Sequence, residues 1–189
     1  MIKPFDIPVP LRGIVSKIIE GQRIDPSDGV LLFEEGEPGM LGMLADQIRE
    51  RKNGRDAYFI RNFHIEPTNI CVNRCKFCSY SHHFSHTRWE LTEEEILAKV
   101  KSQDQTVREL HITGAVHPER DIHYYGGLLK SIKKVRPDLH LKAYSAVELD
   151  YMFKKSKMTD DEGMEYLKMC GLDSIPGGGA EIFAGEIRQ

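Results

Sequence analysis

The sequence has no apolar run approaching the roughly 20 residues that span a bilayer, so a helical membrane span is not its organising feature. It also lacks charge of one sign. Lys and Arg number 26 against 29 Asp and Glu, and the net charge of -3 gives no general attraction to nucleic acid or an anionic membrane surface. Low-complexity tracts and repeats at solenoid periods are absent, and no secretory pattern is read at the start of the chain. Cysteine is scarce, with 4 in 189 residues, which is too few for a small disulfide scaffold. What remains, 40% hydrophobic and 29% charged, is the composition of an ordinary globular chain able to bury a core.

Residues 1–56 read as a helical extension. Leu11, Ile14, Val15, Ile18 and Ile19 recur at helical spacing and form one apolar face ended by Gly21, and Leu41, Leu44, Ala45 and Ile48 form a second such face, closed near Asn53 and Gly54. Pro26 and the segment Gly36-Glu37-Pro38-Gly39 read as breakers. From residue 57 the period alternates. Tyr58 to Ile65 predicts a strand or strand pair stopped by Pro67, and the capping box Thr92 to Glu95 predicts a helix from Glu93 to about Gln103. A strand over Val107 to Thr113, a helix over Ile122 to Lys134 and a strand over Leu139 to Tyr144 follow. A second capping box, Thr159 to Glu162, opens a helix with Met164, Leu167 and Cys170 on one face and Gly171 as its stop; a last strand, Leu172 to Ile175, leads into Pro176-Gly177-Gly178-Gly179. Strands alternating with helices imply parallel pairing with right-handed crossovers, an α/β sheet or barrel.

Three of the cysteines, Cys71, Cys75 and Cys78, stand in the spacing C-x-x-x-C-x-x-C. Three thiolates this close can hold three irons of a 4Fe-4S cube and leave the fourth iron open to a small molecule. A Cys3His zinc site drawing on His82, His83 or His86 is the structural alternative, although zinc modules more often pair thiols as C-x-x-C units. An odd trio with one distant partner, Cys170, is poor material for disulfides, and reduced, cytoplasmic thiols are expected. Cys170 itself reads as a small buried side chain.

In parallel α/β folds ligands sit at the carboxyl ends of the strands. The cysteine loop, Thr113-Gly114-Ala115-Val116-His117-Pro118, Ser145-Ala146-Val147-Glu148, and the triple glycine with Glu181 each fall at such an end. Phe77 and Tyr80 are aromatics placed to shield a cluster, or else core side chains. Ser145 and Glu148 can bind ribose hydroxyls or a substrate, although a helix N-terminus also favours a Glu there. His82, His83 and His86 either line the loop's outer surface, or one of them handles a proton or a carboxylate. Both Glu148 and Glu181 are expected to point into the cavity. The triple glycine is a weak phosphate cradle, since no Gly-Lys-Ser/Thr follows it.

The cysteine spacing with Phe77 before its third cysteine resembles the signature of the radical S-adenosylmethionine (SAM) superfamily. Four segments narrow the likeness: His64 to Cys71, Glu109 to Pro118, His140 to Glu148, and Gly171 to Phe183 are similar to the aminodeoxyfutalosine synthase family of the futalosine route to menaquinone. The chain departs from that family's pattern at Glu66, Thr113, Ala115 and Cys170. The resemblance implies an N-terminal helical extension, 1–56, followed over 57–189 by the first four βα units of a (βα)6 partial TIM barrel. It further implies a 4Fe-4S cluster on Cys71, Cys75 and Cys78, and SAM beside Phe77, Tyr80, Thr113, Gly114, Ala115, Ser145 and Glu148, with Glu148, Glu181 and His82 as catalytic candidates. The implied reaction adds the 5'-deoxyadenosyl radical to 3-[(1-carboxyvinyl)oxy]benzoate and yields 6-amino-6-deoxyfutalosine, with a flavodoxin- or ferredoxin-type electron donor. Related enzymes that share the barrel, namely dehypoxanthine futalosine cyclase and the deazaflavin and thiazole tyrosine-cleaving enzymes, stay open, as does an iron-sulfur or zinc module that only binds. Lys142 and Arg74 are available cations, with a solvated surface position the plainer reading of each. Because four strands fall short of the barrel's six, the chain is expected to be part of a longer polypeptide without turnover of its own, or to cover its open edge as a homo-oligomer.

Overall fold

The computed structural model describes residues 7–76, 78–83, 87–178 and 184–188. Two compact units divide the chain, Met1–Tyr58 and Phe59–Gln189. In the first, a single 3-10 turn over Val9–Leu11 runs into helix α1, Arg12–Ile19. Helices α2, Pro26–Glu35, and α3, Pro38–Asn53, complete it. Leu11, Ile14, Val15 and Ile18 are buried with Leu44, whereas Ile19 is exposed and drops off the expected face. Pro26 does not break a helix but begins one. It occupies the first turn of α2, where a missing N–H costs nothing, and Asp25 and Asp28 close a reciprocal capping box in front of it.

The second unit is built on strands β1, Asn62–Ile65; β2, Glu109–Ile112; and β3, His140–Ala143. They pair in parallel in the order β1-β2-β3, with Asn62, Glu109 and His140 in one row and His64, His111 and Lys142 in another. Helices α4, Glu93–Lys101, and α5, Ile122–Val135, follow the first two strands. After β3 come α6, Ala146–Ser156, and α7, Asp160–Met169; the short α8, Gly185–Arg188, ends the described chain. Ile65, Leu110, Ile112, Leu141 and Ala143 share one core with Ile96, Val100, Ile122, Leu129, Ile132, Leu149, Met152 and Leu167 from these helices. The helices therefore cover one face of the sheet, and the alternate residues of each strand stand on the other.

Caps explain where the helices begin. Thr92, Ser145 and Thr159 each accept from the backbone N–H three residues on, and Glu95, Glu148 and Glu162 each return to the cap residue's N–H. Close approach is secured by small residues. A Cβ on Gly163 would lie 2.3 Å from the Phe153 ring, so only glycine lets α7 sit against α6.

Three expectations are corrected. The first strand is shorter than Tyr58 to Ile65, since Tyr58, Phe59 and Ile60 are exposed and precede β1. Helix α6 was not among the expected elements. The fourth strand is reduced among the described residues to a single parallel bridge between Lys142 and Ser174, supported by Ala143 N–H donating to Ser174 O at 3.0 Å and by Asp173 and Ser174 N–H donating to Leu141 O. No helix among the described residues is long and apolar enough to cross a membrane.

Candidate active site

The loop after β1 carries the three cysteines and is closed at its base by hydrogen bonds. Thr68 pairs with Glu90 in an antiparallel bridge; Thr68 Oγ1 donates to Trp89 O at 2.8 Å, and Trp89 N–H donates to Asn69 Oδ1 at 2.9 Å. Tyr80 Oη donates to Thr68 O at 2.8 Å, and its ring meets Trp89 edge-on at 5.8 Å. Burial raises the Tyr80 pKa, so its hydroxyl stays protonated and donates. Within the loop, Cys71 N–H donates to His82 Nδ1 at 3.1 Å, and His83 Nε2 lies 2.8 Å from Cys71 O. Burial, with His83 and Arg88 beside it, lowers the His82 pKa and keeps the ring neutral, as an acceptor must be. His82 thus shapes the loop through Cys71.

The β2 turn is lashed to this loop. Val72 N–H donates to Val116 O at 2.9 Å, and Val116 N–H donates back to Cys71 Sγ at 3.4 Å. Ala115 N–H donates to Thr68 O at 3.2 Å, and Gly114 N–H donates to Glu148 Oε1 at 3.1 Å. With these N–H groups engaged, what the turn can offer a ligand is carbonyl oxygen and the Thr113 hydroxyl, which meets His64 Nε2 at 2.7 Å. Buried His117 lies 3.8 Å from Glu90, which Arg120 holds at 2.9 Å.

Glu148 points inward and is 5% exposed. Its second oxygen accepts from Ser145 N–H and Ser145 Oγ, both at 2.7 Å. Burial raises its pKa, against the pull of the Ser145 and Gly114 hydrogen bonds. Both oxygens are therefore occupied in bracing the β2 turn against the start of α6. Tyr144 makes this geometry by taking a left-handed backbone, φ 62, at the end of β3.

All four cysteines are free. Cys170 is 2% exposed in the helix-side core, away from the loop's hydrogen-bond network. Cys71 and Cys78 are half-buried and Cys75 is exposed. Among the described residues no three His, Cys, Asp or Glu side chains converge as a ligand set. The donor chemistry nonetheless fits a group that takes thiolates: three unpaired thiols share one loop at the carboxyl end of the sheet, and one sulfur already receives a backbone N–H. Phe77, His86 and the segment 179–183, with Gly179 and Glu181, lie outside the described residues.

The strands also present polar side chains, of which only Lys142 stood out in the sequence, as an available cation. Glu109, His111, His140, Lys142 and His64 stand on the sheet face opposite the helices. Their signal was present in the strict alternation Glu109-Leu110-His111-Ile112 and His140-Leu141-Lys142-Ala143, which is unlike a parallel strand buried on both faces. His64 additionally lines an open cleft of about 520 Å3 with Glu66, Trp89, Leu91 and Lys99.

A parallel sheet with helices on one face and a three-cysteine loop at its carboxyl end defines a class, and the family model for the radical SAM superfamily matches residues 65–181. The chain belongs to the radical SAM superfamily. It is 36% identical over 178 residues to the aminodeoxyfutalosine synthase of Thermus thermophilus, which covers 93% of this chain and 48% of that relative. It is 32% identical, over 93% of its length and 47% of the relative's, to the 5-amino-6-(D-ribitylamino)uracil--L-tyrosine 4-hydroxyphenyl transferase of Methanopyrus kandleri. The chain spans about half the length of these curated relatives. Among solved structures, HydG, a maturase of the [FeFe]-hydrogenase, superposes with a TM-score of 0.64 at 20% identity over 89% of this chain and 37% of that one, a likeness of fold.

Proposed function

We propose that this chain carries the cluster-binding half of an enzyme that joins the 5'-deoxyadenosyl group of SAM to 3-[(1-carboxyvinyl)oxy]benzoate, giving 6-amino-6-deoxyfutalosine. The observation that carries the reading is the loop of three free thiols, Cys71, Cys75 and Cys78, at the carboxyl end of the sheet, in a chain 36% identical to an aminodeoxyfutalosine synthase. A 4Fe-4S cluster bound there would supply the electron that opens SAM to methionine and the 5'-deoxyadenosyl radical. The remaining tasks belong to the protein. Val116 N–H stabilises charge on Cys71 Sγ, and His82 and His83 hold the backbone of Cys71 in place. The carbonyls of Thr113, Gly114 and Ala115 suit the ammonium of SAM, because an ammonium only donates. Glu148 fixes that turn from behind. Tyr80 and Trp89 wall the loop with aromatic surface, which limits water near a reactive radical.

The second reading is tyrosine cleavage, which the 32% identity to the hydroxyphenyl transferase favours. One experiment separates them. The anaerobically reconstituted full-length polypeptide that contains this chain is incubated with SAM, a low-potential reductant and either the enol-ether benzoate or L-tyrosine with 5-amino-6-(D-ribitylamino)uracil, and products are read by mass spectrometry. A nucleoside product from the benzoate alone supports the proposal; turnover of tyrosine alone overturns it.

A further inference from the structure

The row His64, His111 and Lys142 crosses all three strands on the face that the helices leave uncovered, one residue before the strands end towards the cysteine loop. Beneath it lies Glu109, whose side chain is 9% exposed. His111 Nε2 hydrogen-bonds Glu109 Oε1, His140 Nε2 lies 4.0 Å from Glu109 Oε2, and His140 is held by Ser174 Oγ at 2.7 Å. Burial pushes the Glu109 pKa up, but the His111 hydrogen bond and the charges of Lys142, His111 and His140 outweigh it, so the group is an anion.

Lys142 differs from a lysine with a structural role in this unit such as Lys133. Lys133 closes on Asp173 at 2.7 Å and also donates to Leu139 O at 2.7 Å. The Lys142 ammonium stops 3.6 Å from Glu109, beyond hydrogen-bond length, and is 33% exposed. The carboxylate below steers the Lys142 side chain, while its N–H donors have no close acceptor among the described residues. His111 and His64 stand beside it at strand spacing, about 5 Å apart per strand. Each uses Nε2 below or behind, for Glu109 and Thr113, and keeps Nδ1 for another partner.

Resting on the function proposed above, we propose that this row is a carboxylate-binding floor in which Lys142, flanked by His111, holds the ring carboxylate of the benzoate substrate. The choice between the substrate's two carboxylates follows from their fates. In the proposed reaction the radical adduct loses the carboxyvinyl carboxyl as carbon dioxide and one electron, the electron returning to the one-electron donor that opened SAM, and a fixed ammonium against that carboxylate would stabilise the charged ground state and oppose its loss. The ring carboxylate is retained, so anchoring it carries no such cost. Anchored one residue below the strand ends, the ring directs its alkene towards the cysteine loop.

The test is a charge cycle. KM is measured for the free dicarboxylate and for its ring methyl ester, in the full-length polypeptide that contains this chain, unaltered and as Lys142→Met, with KM for SAM and iron content as checks on the fold. Loss of a charged hydrogen bond is worth about tenfold or more in KM. Lys142→Met is expected to raise KM for the dicarboxylate by about that factor, esterification is expected to do the same in the unaltered protein, and the two changes together are expected to add little. Should Lys142→Met not fold, Lys142→Gln removes the same charge and is read in the same way. Unchanged KM in the variant, equal discrimination against the ester by both proteins, or a rise confined to KM for SAM overturns the assignment while the function stands. No product from the unaltered full-length polypeptide overturns the function and the assignment together.

Discussion

Replacing any one of Cys71, Cys75 or Cys78 by Ala is expected to lower cluster iron and abolish SAM cleavage, because a cube that loses a thiolate falls apart or has an open iron that is no longer unique. Cys170→Ala is expected to keep full iron and to cost only packing, about 1 kcal/mol, since Cys170 is 2% exposed in the core. Iron analysis and denaturant titration separate the two; iron lost from Cys170→Ala would contradict the assignment. Glu148→Gln sets one amide NH2 against either Gly114 N–H or the Ser145 donors, because both carboxylate oxygens now accept. A loss of about 1–3 kcal/mol in chemical denaturation is expected, and an unchanged midpoint would show that the brace is dispensable. The cysteines were legible in the sequence because their spacing along the chain is itself the signal. Glu109 and His111 were not, and Lys142 stood out only as an available cation, because their value arises from register across strands, which no local motif carries.

Helices were read well where their ends carry chemistry. Thr92 with Glu95, and Thr159 with Glu162, gave the starts of α4 and α7, and the apolar face of α5 gave nearly its full length. Two helices escaped for the same reason, that a residue with two meanings was given the wrong one. Pro26 reads as a breaker but serves as a first-turn residue behind Asp25, and Ser145 to Glu148 reads as a ligand segment but is also a capping box. Helix α6 ends at Lys157 in a left-handed conformation, φ 56, with Met158 N–H donating to Phe153 O at 3.0 Å. Lys157→Gly is therefore expected to stabilise the protein by about 1 kcal/mol, visible as a raised denaturation midpoint. At the opposite end of the sheet, hydrogen bonds from Arg136 hold the Asp138 carboxyl at about 2, below its usual 3.8. A depressed carboxyl contributes stability above its unfolded pKa and loses it as pH falls through the folded value. Acid titration of stability should steepen between pH about 4 and about 2, and Asp138→Asn should flatten that window. An identical profile in the variant would remove this pair from the acid response.

On the scale of the whole molecule, the second unit divides labour between the two faces of one sheet. Apolar residues at alternate positions meet the helices, and polar residues between them face away, with the cysteine loop and the Gly114 turn bonded together at the strand ends. The α/β alternation was legible because strand and helix periods differ, whereas the fourth strand is a single bridge because, among the described residues, backbone hydrogen bonds there are confined to Asp173 and Ser174 with Leu141 and Ala143. The central claim is that the adenosyl group is transferred rather than released, and the fate of the SAM ribose carbons tests it most directly. With SAM labelled by 13C in the ribose, and with reductant and the enol-ether benzoate present, the label is predicted in a nucleoside product that also contains the benzoate ring. Recovery of all the label as 5'-deoxyadenosine or as intact SAM, from the full-length polypeptide with a full complement of cluster iron, would contradict the account.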